Sequence, residues 1–253
     1  MLANDRYNKI LEILERDGSV KTSKLVTLLD ISLETVRRDL DFLEKQGSLQ
    51  KVHGGAISKL KENIGMSYSY RETKNIKEKQ EIAKLALNYI KEGETIVLNS
   101  SSTNVEIAKL IKDRFTSLTV ITNSLLIAQE LADLKGINLV LAGGIYNKNE
   151  FAFLGELTAR FLENFSVDKS FICVGGISLK RGITDFLTEE VLVEKKMMEI
   201  AEEIIILADS TKIETNSLIK ICELNEIDSI ITDKNLNISI EKNYIENGIK
   251  IIK

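Results

Sequence analysis

The sequence predicts an α/β protein of two unequal parts: a small head of three short helices and a hairpin, and a larger, Rossmann-like, mostly parallel sheet with helices on both faces. Three observations carry this. At 253 residues the chain is longer than one small module needs. Apolar residues recur at helical spacing through the first three segments, then give way to a short alternating run that ends in His53-Gly54-Gly55. Beyond Lys74, short continuously apolar runs alternate with helical stretches, as strands buried on both faces require.

In the head, Tyr7, Ile10, Leu11 and Leu14 share one face of a first helix, which Gly18 is placed to end. Thr22 or Ser23 is placed to cap a second helix carrying Leu25, Val26, Leu28 and Leu29. Ser32 caps a third, in which Val36, Leu40 and Leu43 form the apolar stripe while Arg37, Arg38 and Asp41 point away from it. Gly47 closes that helix, Leu49 to Val52 alternate as a strand, and the Gly-Gly turn completes a winged helix-turn-helix. Residues 1–57 form this head, and 58–73, polar with few regularly spaced apolar residues, form a linker into a domain at 74–253. There a helix carries Ile82, Leu85, Ala86, Tyr89 and Ile90. Strands are expected at Thr95–Leu98, Leu118–Thr122, Asn138–Ala142, Phe171–Val174, Ile204–Ala208 and Ser229–Thr232, and helices at Val105–Ile111, Leu125–Leu134, Leu157–Phe165 and Val191–Ala201.

Composition narrows the function classes. Apolar residues at 43% and charged residues at 28% exclude a disordered or low-complexity chain. No run reaches the roughly 18 apolar residues of a membrane helix, and the start, Met1 to Arg6, lacks an apolar signal region, so a cytoplasmic protein with no membrane partner is expected. Cys173 and Cys222, with His53 as the one histidine, make neither a disulfide framework nor a metal site, and no cofactor is expected. The net charge of −4 divides into +1 over residues 1–60 and −5 over the rest. Such a head binds nucleic acid only if its positive charge gathers on one face.

Thr35-Val36-Arg37-Arg38-Asp39-Leu40 supplies that face. A short polar residue and two guanidinium groups near a recognition-helix start reach base edges and phosphates in the major groove, whereas paired arginines among acids are otherwise an ordinary solvated face. Lys51 and His53 belong to the wing, where Gly54 and Gly55 let backbone amides approach phosphates. In the second domain Asn99 to Asn104 follow a strand and open a helix. Ser100, Ser101, Ser102 and Thr103, with free amides and the helix dipole, suit a phosphate, though plain capping explains one such loop equally well. Repetition favours binding: Asn123, Gly143-Gly144, Gly175-Gly176 and Asp209-Ser210-Thr211-Lys212 also follow strands. Together these ends form a polar crevice, with Lys212 as its positive charge.

Taken in order, these motifs resemble the DeoR family of bacterial transcriptional regulators over nearly the whole chain. The head matches in Ser32, Thr35 to Leu40, Leu43, Gly47 and His53 to Ala56. The body matches in Thr122-Asn123, Gly143-Gly144, Asp168, Phe171, Gly176-Ile177, Gly182-Ile183-Thr184 and Asp209 to Lys212. The resemblance implies a winged helix-turn-helix joined to a sensor domain of the ribose-5-phosphate isomerase type that binds sugar phosphates or related metabolites, usually in repression. Three positions depart: Asn99 and Ser101 stand where the family commonly has Asp and Gly, and Cys173 where it often has Gly.

The expected function is a DNA-binding repressor of carbohydrate genes, controlled by a phosphorylated sugar, with double-stranded operator DNA as partner and a dimer or tetramer as active form. The rival is a sugar-phosphate isomerase or acyl-transferase carrying a DNA-binding head, for which Asp168, Asp185, Glu190, Asp209 and Lys212 are raw material. A third reading, an adaptor that binds neither DNA nor ligand, requires that neither the arginine pair nor the loops bind anything.

Overall fold

The structure is a computed structural model describing residues 3–17, 19–46, 48–52, 54–58 and 68–253. Gly18, Gly47, His53 and linker positions 59–67 lie outside the described residues. The chain divides into two compact units, Met1–Tyr70 and Arg71–Lys253.

The first unit contains α1 (Ala3–Asp17), β1 (Ser19–Lys21), α2 (Thr22–Leu29), α3 (Leu33–Lys45), β2 (Leu49–Val52) and β3 (Gly55–Ser58), the strands forming a sheet in the order β1-β3-β2. Its core is the set the helical spacing selects: Ile10, Leu14, Leu25, Leu29, Val36, Leu40 and Leu43, closed by Val20, Leu49 and Ala56 from the strands. Ser32 accepts from Thr35 N at 3.2 Å and caps α3. Neither Thr22 nor Ser23 caps α2, which starts after Lys21 without a side-chain cap. β1 runs directly into the helix: Lys21 pairs with Gly55, and Thr22 N donates to Gly54 O at 2.8 Å, so the start of α2 is set by the sheet.

The helical turn α4 (Tyr68–Arg71) ends on the first residue of the second unit. There follow α5 (Ile76–Ala86), β4 (Thr95–Leu98), α6 (Ser102–Ile111), β5 (Leu118–Thr122), α7 (Leu125–Leu131), β6 (Ile137–Leu141), the hairpin β7 (Ile145–Asn147) and β8 (Ala152–Leu154), α8 (Glu156–Leu162) and β9 (Val167–Cys173). Then come β10 (Gly176–Ser178), β11 (Gly182–Asp185), α9 (Thr188–Glu199), β12 (Ala201–Leu207), β13 (Ile219–Cys222), β14 (Ser229–Ile231), α10 (Ile238–Glu246) and β15 (Ile251–Ile252).

Seven strands form the main sheet in the order β15-β14-β12-β9-β4-β5-β6, with parallel pairing throughout. Ile96, Val97 and Leu98 are consecutive in β4 and all fully buried, so both faces of the sheet are covered. Leu98 lies opposite Thr122 on one side and Phe171 on the other, so the carboxyl ends of β4, β5 and β9 come out at one edge. From β4 the chain proceeds to β5 and β6 on one side, then crosses to β9, β12 and β14 on the other. The crevice between β4 and β9 is therefore the switch point at which such sheets hold ligands.

Candidate functional site

Asn99 closes the bottom of that crevice. Its Nδ2 donates to Cys173 O at 2.9 Å and to Glu194 Oε1 at 3.0 Å, while its Oδ1 accepts from Cys173 N at 2.9 Å. The loop above it belongs to α6: Ser101 Oγ accepts from Asn104 N at 2.9 Å, the capping bond expected at a helix start. Ser100 N donates to Asn123 Oδ1 at 2.9 Å, and Asn123 Nδ2 donates to Phe153 O at 2.9 Å, which ties the ends of β4 and β5 to the β7–β8 hairpin. The Cys173 thiol sits among the Ser101 and Thr103 hydroxyls and near Lys212; burial pushes it up, and those hydroxyls pull it back.

Cations gather around this point. Lys212 Nζ donates to Val174 O at 2.7 Å, just past the end of β9. Lys79, on α5, is buried, and its Nζ donates to Lys74 O at 2.6 Å and to Arg71 O. Burial first, and then the charge of Lys212, lower its pKa to about 8. The Arg71 guanidinium pairs with the buried Glu150; burial opposes its charge, but Glu150, Glu190 and Asp185 outweigh that and raise its pKa. Asp209 Oδ1 accepts from Thr211 N and from Asn75 Nδ2, both at 3.1 Å, and so fixes the turn that carries Lys212.

Three acids complete the set. Burial, with Asp185 adding, raises Glu190 to about 8, and Glu190 accepts weakly from Ser100 Oγ at 3.4 Å. Burial likewise raises Asp185, against the pull of Lys212, and raises Glu194 well above the usual carboxylate range. The site thus sets Arg71, Lys79 and Lys212 beside buried acids whose charged form burial disfavours.

The expected site residues separate into groups. Ser100, Ser101, Thr103, Asn123, Asp209 and Lys212 join the network just described; Ser102, buried, is the first residue of α6. Gly175 follows Val174, and a Cβ there would meet Ser217 Oγ at 2.6 Å. Gly176 is buried within β10, where a Cβ would meet Thr215 O at 2.8 Å, so it serves strand packing. Gly143 is open, and Gly144 packs against Thr158 of α8, at the end of β6. Asp168, part of the isomerase reading, accepts from Thr95 N at 2.7 Å, at the amino ends of the strands and away from the crevice. Arg71, Lys79, Glu150 and Glu194 are members that sequence reasoning missed. Lys79 precedes Ile82, Ala83 and Ala86 on the buried face of α5, and a charge inside an apolar stripe is the signal that could have found it.

In the head, Thr35 is half-buried and bonded to Ser32 Oγ, and Arg37 and Arg38 are exposed on α3. Asp39 turns inward and takes Arg6 of α1 in two bonds of 2.7 and 2.9 Å, so the motif divides into an outward pair and an inward anchor. Lys51 pairs with Asp41. Gly54 is exposed at φ +83°, as a tight turn requires. Gly55 is buried, and a Cβ there would lie 2.2 Å from Val20 O, so close packing on β1 by itself requires a glycine at this position.

The model of the DeoR-like helix-turn-helix domain matches residues 6–62, and that of the DeoR C-terminal sensor domain matches 74–234. The chain is 35% identical to the transcriptional regulator GolR of Listeria innocua, covering 99% of this chain and 98% of that one. It is 35% identical to the repressor GlcR of Bacillus subtilis over 100% and 96%, and 34% identical to the lactose phosphotransferase system repressor of Staphylococcus epidermidis over 98% of each. Ribose 5-phosphate isomerase A of Methanocaldococcus jannaschii overlaps 55% of each chain at 19% identity with a TM-score of 0.41, too loosely to carry a functional argument. Among the described residues no helix is long and apolar enough to cross a membrane. With both domain models matched in order and relatives covered end to end, the chain belongs to the DeoR family of DNA-binding transcriptional regulators.

Proposed function

We propose that this regulator is an intracellular repressor of carbohydrate genes whose second unit binds a phosphorylated sugar at the β4–β9 crevice. The observation that carries it is the meeting of Lys212, Lys79 and the hydroxyls of the α6 start around Cys173. A helix start with nearby cations stabilises a phosphate, and the Glu190 carboxyl, raised to about 8, suits sugar hydroxyls. The names of the relatives, a lactose phosphotransferase repressor among them, support a sugar. Ser100 to Thr103, Asn123, Gly143, Gly144, Gly175, Gly176, Asp209 and Lys212 remain the proposed effector set, joined by Lys79 and Arg71. Ser32, Thr35, Arg37, Arg38, Lys51, His53, Gly54 and Gly55 remain the proposed DNA set. The division into head to 57, linker 58–73 and sensor from 74 belongs to the same reading. Ligand changes operator affinity by favouring one of two states. One head offers few base contacts, so two copies read two half-sites.

A thermal-shift screen of phosphorylated sugars tests this, because a specific ligand raises the melting temperature by mass action. The active compound should release operator from the wild type, while Lys212→Ala keeps operator binding and loses the response. A best ligand without an anionic group, or a Lys212→Ala protein that responds normally, overturns the reading. The isomerase alternative has one observation in its favour: Glu190, at about 8, shares the site with Lys212. We read the protein as non-catalytic, and turnover of pentose or hexose phosphates that is lost in Lys212→Ala decides for the enzyme.

A further inference from the structure

We propose that the sensor unit pairs with a second copy of this chain through β7 and α8, packed antiparallel about a two-fold axis. The inference rests on the two-copy reading above and adds the surface. Ile145 of β7 is 69% exposed, and Leu157 and Phe161 of α8 are 59% and 37% exposed, while Tyr146 leaves the strand on the opposite face and packs against Phe153. Single exposed apolar residues are ordinary, whereas several on adjoining elements mark an interaction surface. These elements do adjoin: Gly144, beside Ile145, packs on Thr158, beside Leu157.

The two edges of the main sheet are treated differently. β15 is two residues long and flanked by Lys250 and Lys253, which blunts it. The other edge, β6, is five uncharged residues, Ile-Asn-Leu-Val-Leu, and its sheet neighbour among the described residues is β5 alone. That open edge leads through Gly143-Gly144 into β7, so the unprotected side of the sheet is the side that carries the apolar patch.

Charge selects a second copy as the occupant. On α8, Leu157 and Phe161 are four residues apart and form a short apolar stripe. Glu156 and Arg160, also four apart, run along one flank of it, 65% and 69% exposed and bonded to each other at 2.9 Å. When two such helices pack antiparallel, like flanks face each other in opposite directions. Glu156 then meets the partner's Arg160, and Arg160 meets the partner's Glu156. The face is thus complementary to itself, as an isologous contact requires, and an exposed pair worth little in one chain becomes a four-charge network in two.

Sedimentation of the full chain over a concentration series tests the surface. The wild type should dimerise. Leu157→Arg should weaken the dimer at least a hundredfold, and Glu156→Arg or Arg160→Glu alone about tenfold, since each brings like charges together twice. An equal mixture of the two reversal variants should recover the wild-type affinity, because every cross-dimer pair is then opposite in sign. Exposed positions were chosen so that the fold survives, and unchanged melting temperatures check this. A dimeric wild type whose variants all dimerise equally well overturns the surface and leaves the two-copy reading standing. A mixture that fails to recover overturns the Glu156–Arg160 pairing, and a wild type that stays monomeric at every concentration overturns both readings.

Discussion

Glu190→Gln should make the protein more stable at neutral pH, and by an amount that grows with pH. Glu190 is buried, with Asp185 close by, and its pKa is raised from 4.5 to about 8. Between those values the folded protein holds a proton that the unfolded chain has released. The folded state binds more protons, so stability falls as pH rises through that window. Each pH unit between them removes about 1.4 kcal/mol, so the wild type loses about 3 kcal/mol by pH 7 relative to pH 4.5. Glutamine has the shape of the protonated acid and does not titrate, so the variant escapes this loss. Near pH 4.5 the two proteins should have similar stability. At pH 7 the variant should melt roughly 6–12 °C higher, for a domain of this size. Thermal unfolding of the full chain in buffers from pH 4.5 to 8 is the measurement. A difference that stays constant with pH, or a variant less stable at pH 7, refutes the claim that burial holds Glu190 protonated.

The other expectations concern the head. Arg37→Ala and Arg38→Ala should each lower operator affinity by about 1–3 kcal/mol if the side chain reaches a base edge, and should weaken all DNA sequences alike if it reaches phosphate. Gel shifts against specific and random DNA separate these, and unchanged binding by the folded double variant removes both. Gly54→Ala should cost about 1–2 kcal/mol, the strain of a side chain at φ +83° with open space around it. Gly55→Ala should cost about 3 kcal/mol or more, because its Cβ runs into the backbone of Val20. Urea unfolding of the two variants checks the order, and equal losses contradict the packing role assigned to Gly55.

Much of the fold was legible because long elements impose a period. β4 and β5 begin and end where their apolar runs do, and the inward residues of α3 are those at helical spacing. Strands of three residues, or of four without a continuous apolar run, have no period to read, which is why the β7–β8 hairpin and the small sheet β10-β11-β13 went unseen. β1 escaped for the same reason, and with it the explanation of Gly55. The helix start at α2 was misread locally because β1 runs directly into it, with Thr22 N donating to Gly54, a residue more than thirty positions away. Turn and cap preferences act over a few residues, so tertiary bonds of that kind override them without leaving a local trace.

The site divides along the same line. Ser100 to Thr103, Asn123 and Lys212 were legible because chemistry at strand ends is placed by the sheet itself. Lys79 and Glu194 lie on buried helix faces, and a periodicity reading assigns charges to solvent. Of the three departures, Asn99 and Cys173 are partners. The Asn99 amide donates to the carbonyl of Cys173 and accepts from its N–H, and its donor also reaches Glu194. An ionised aspartate at this position accepts from the N–H and repels both the carbonyl and any charge on Glu194. The neutral amide therefore permits a buried glutamate under the crevice floor. Asn99 is 2% exposed and Cys173 4%, so these departures bear on how β4 joins β9 more directly than on what the site binds.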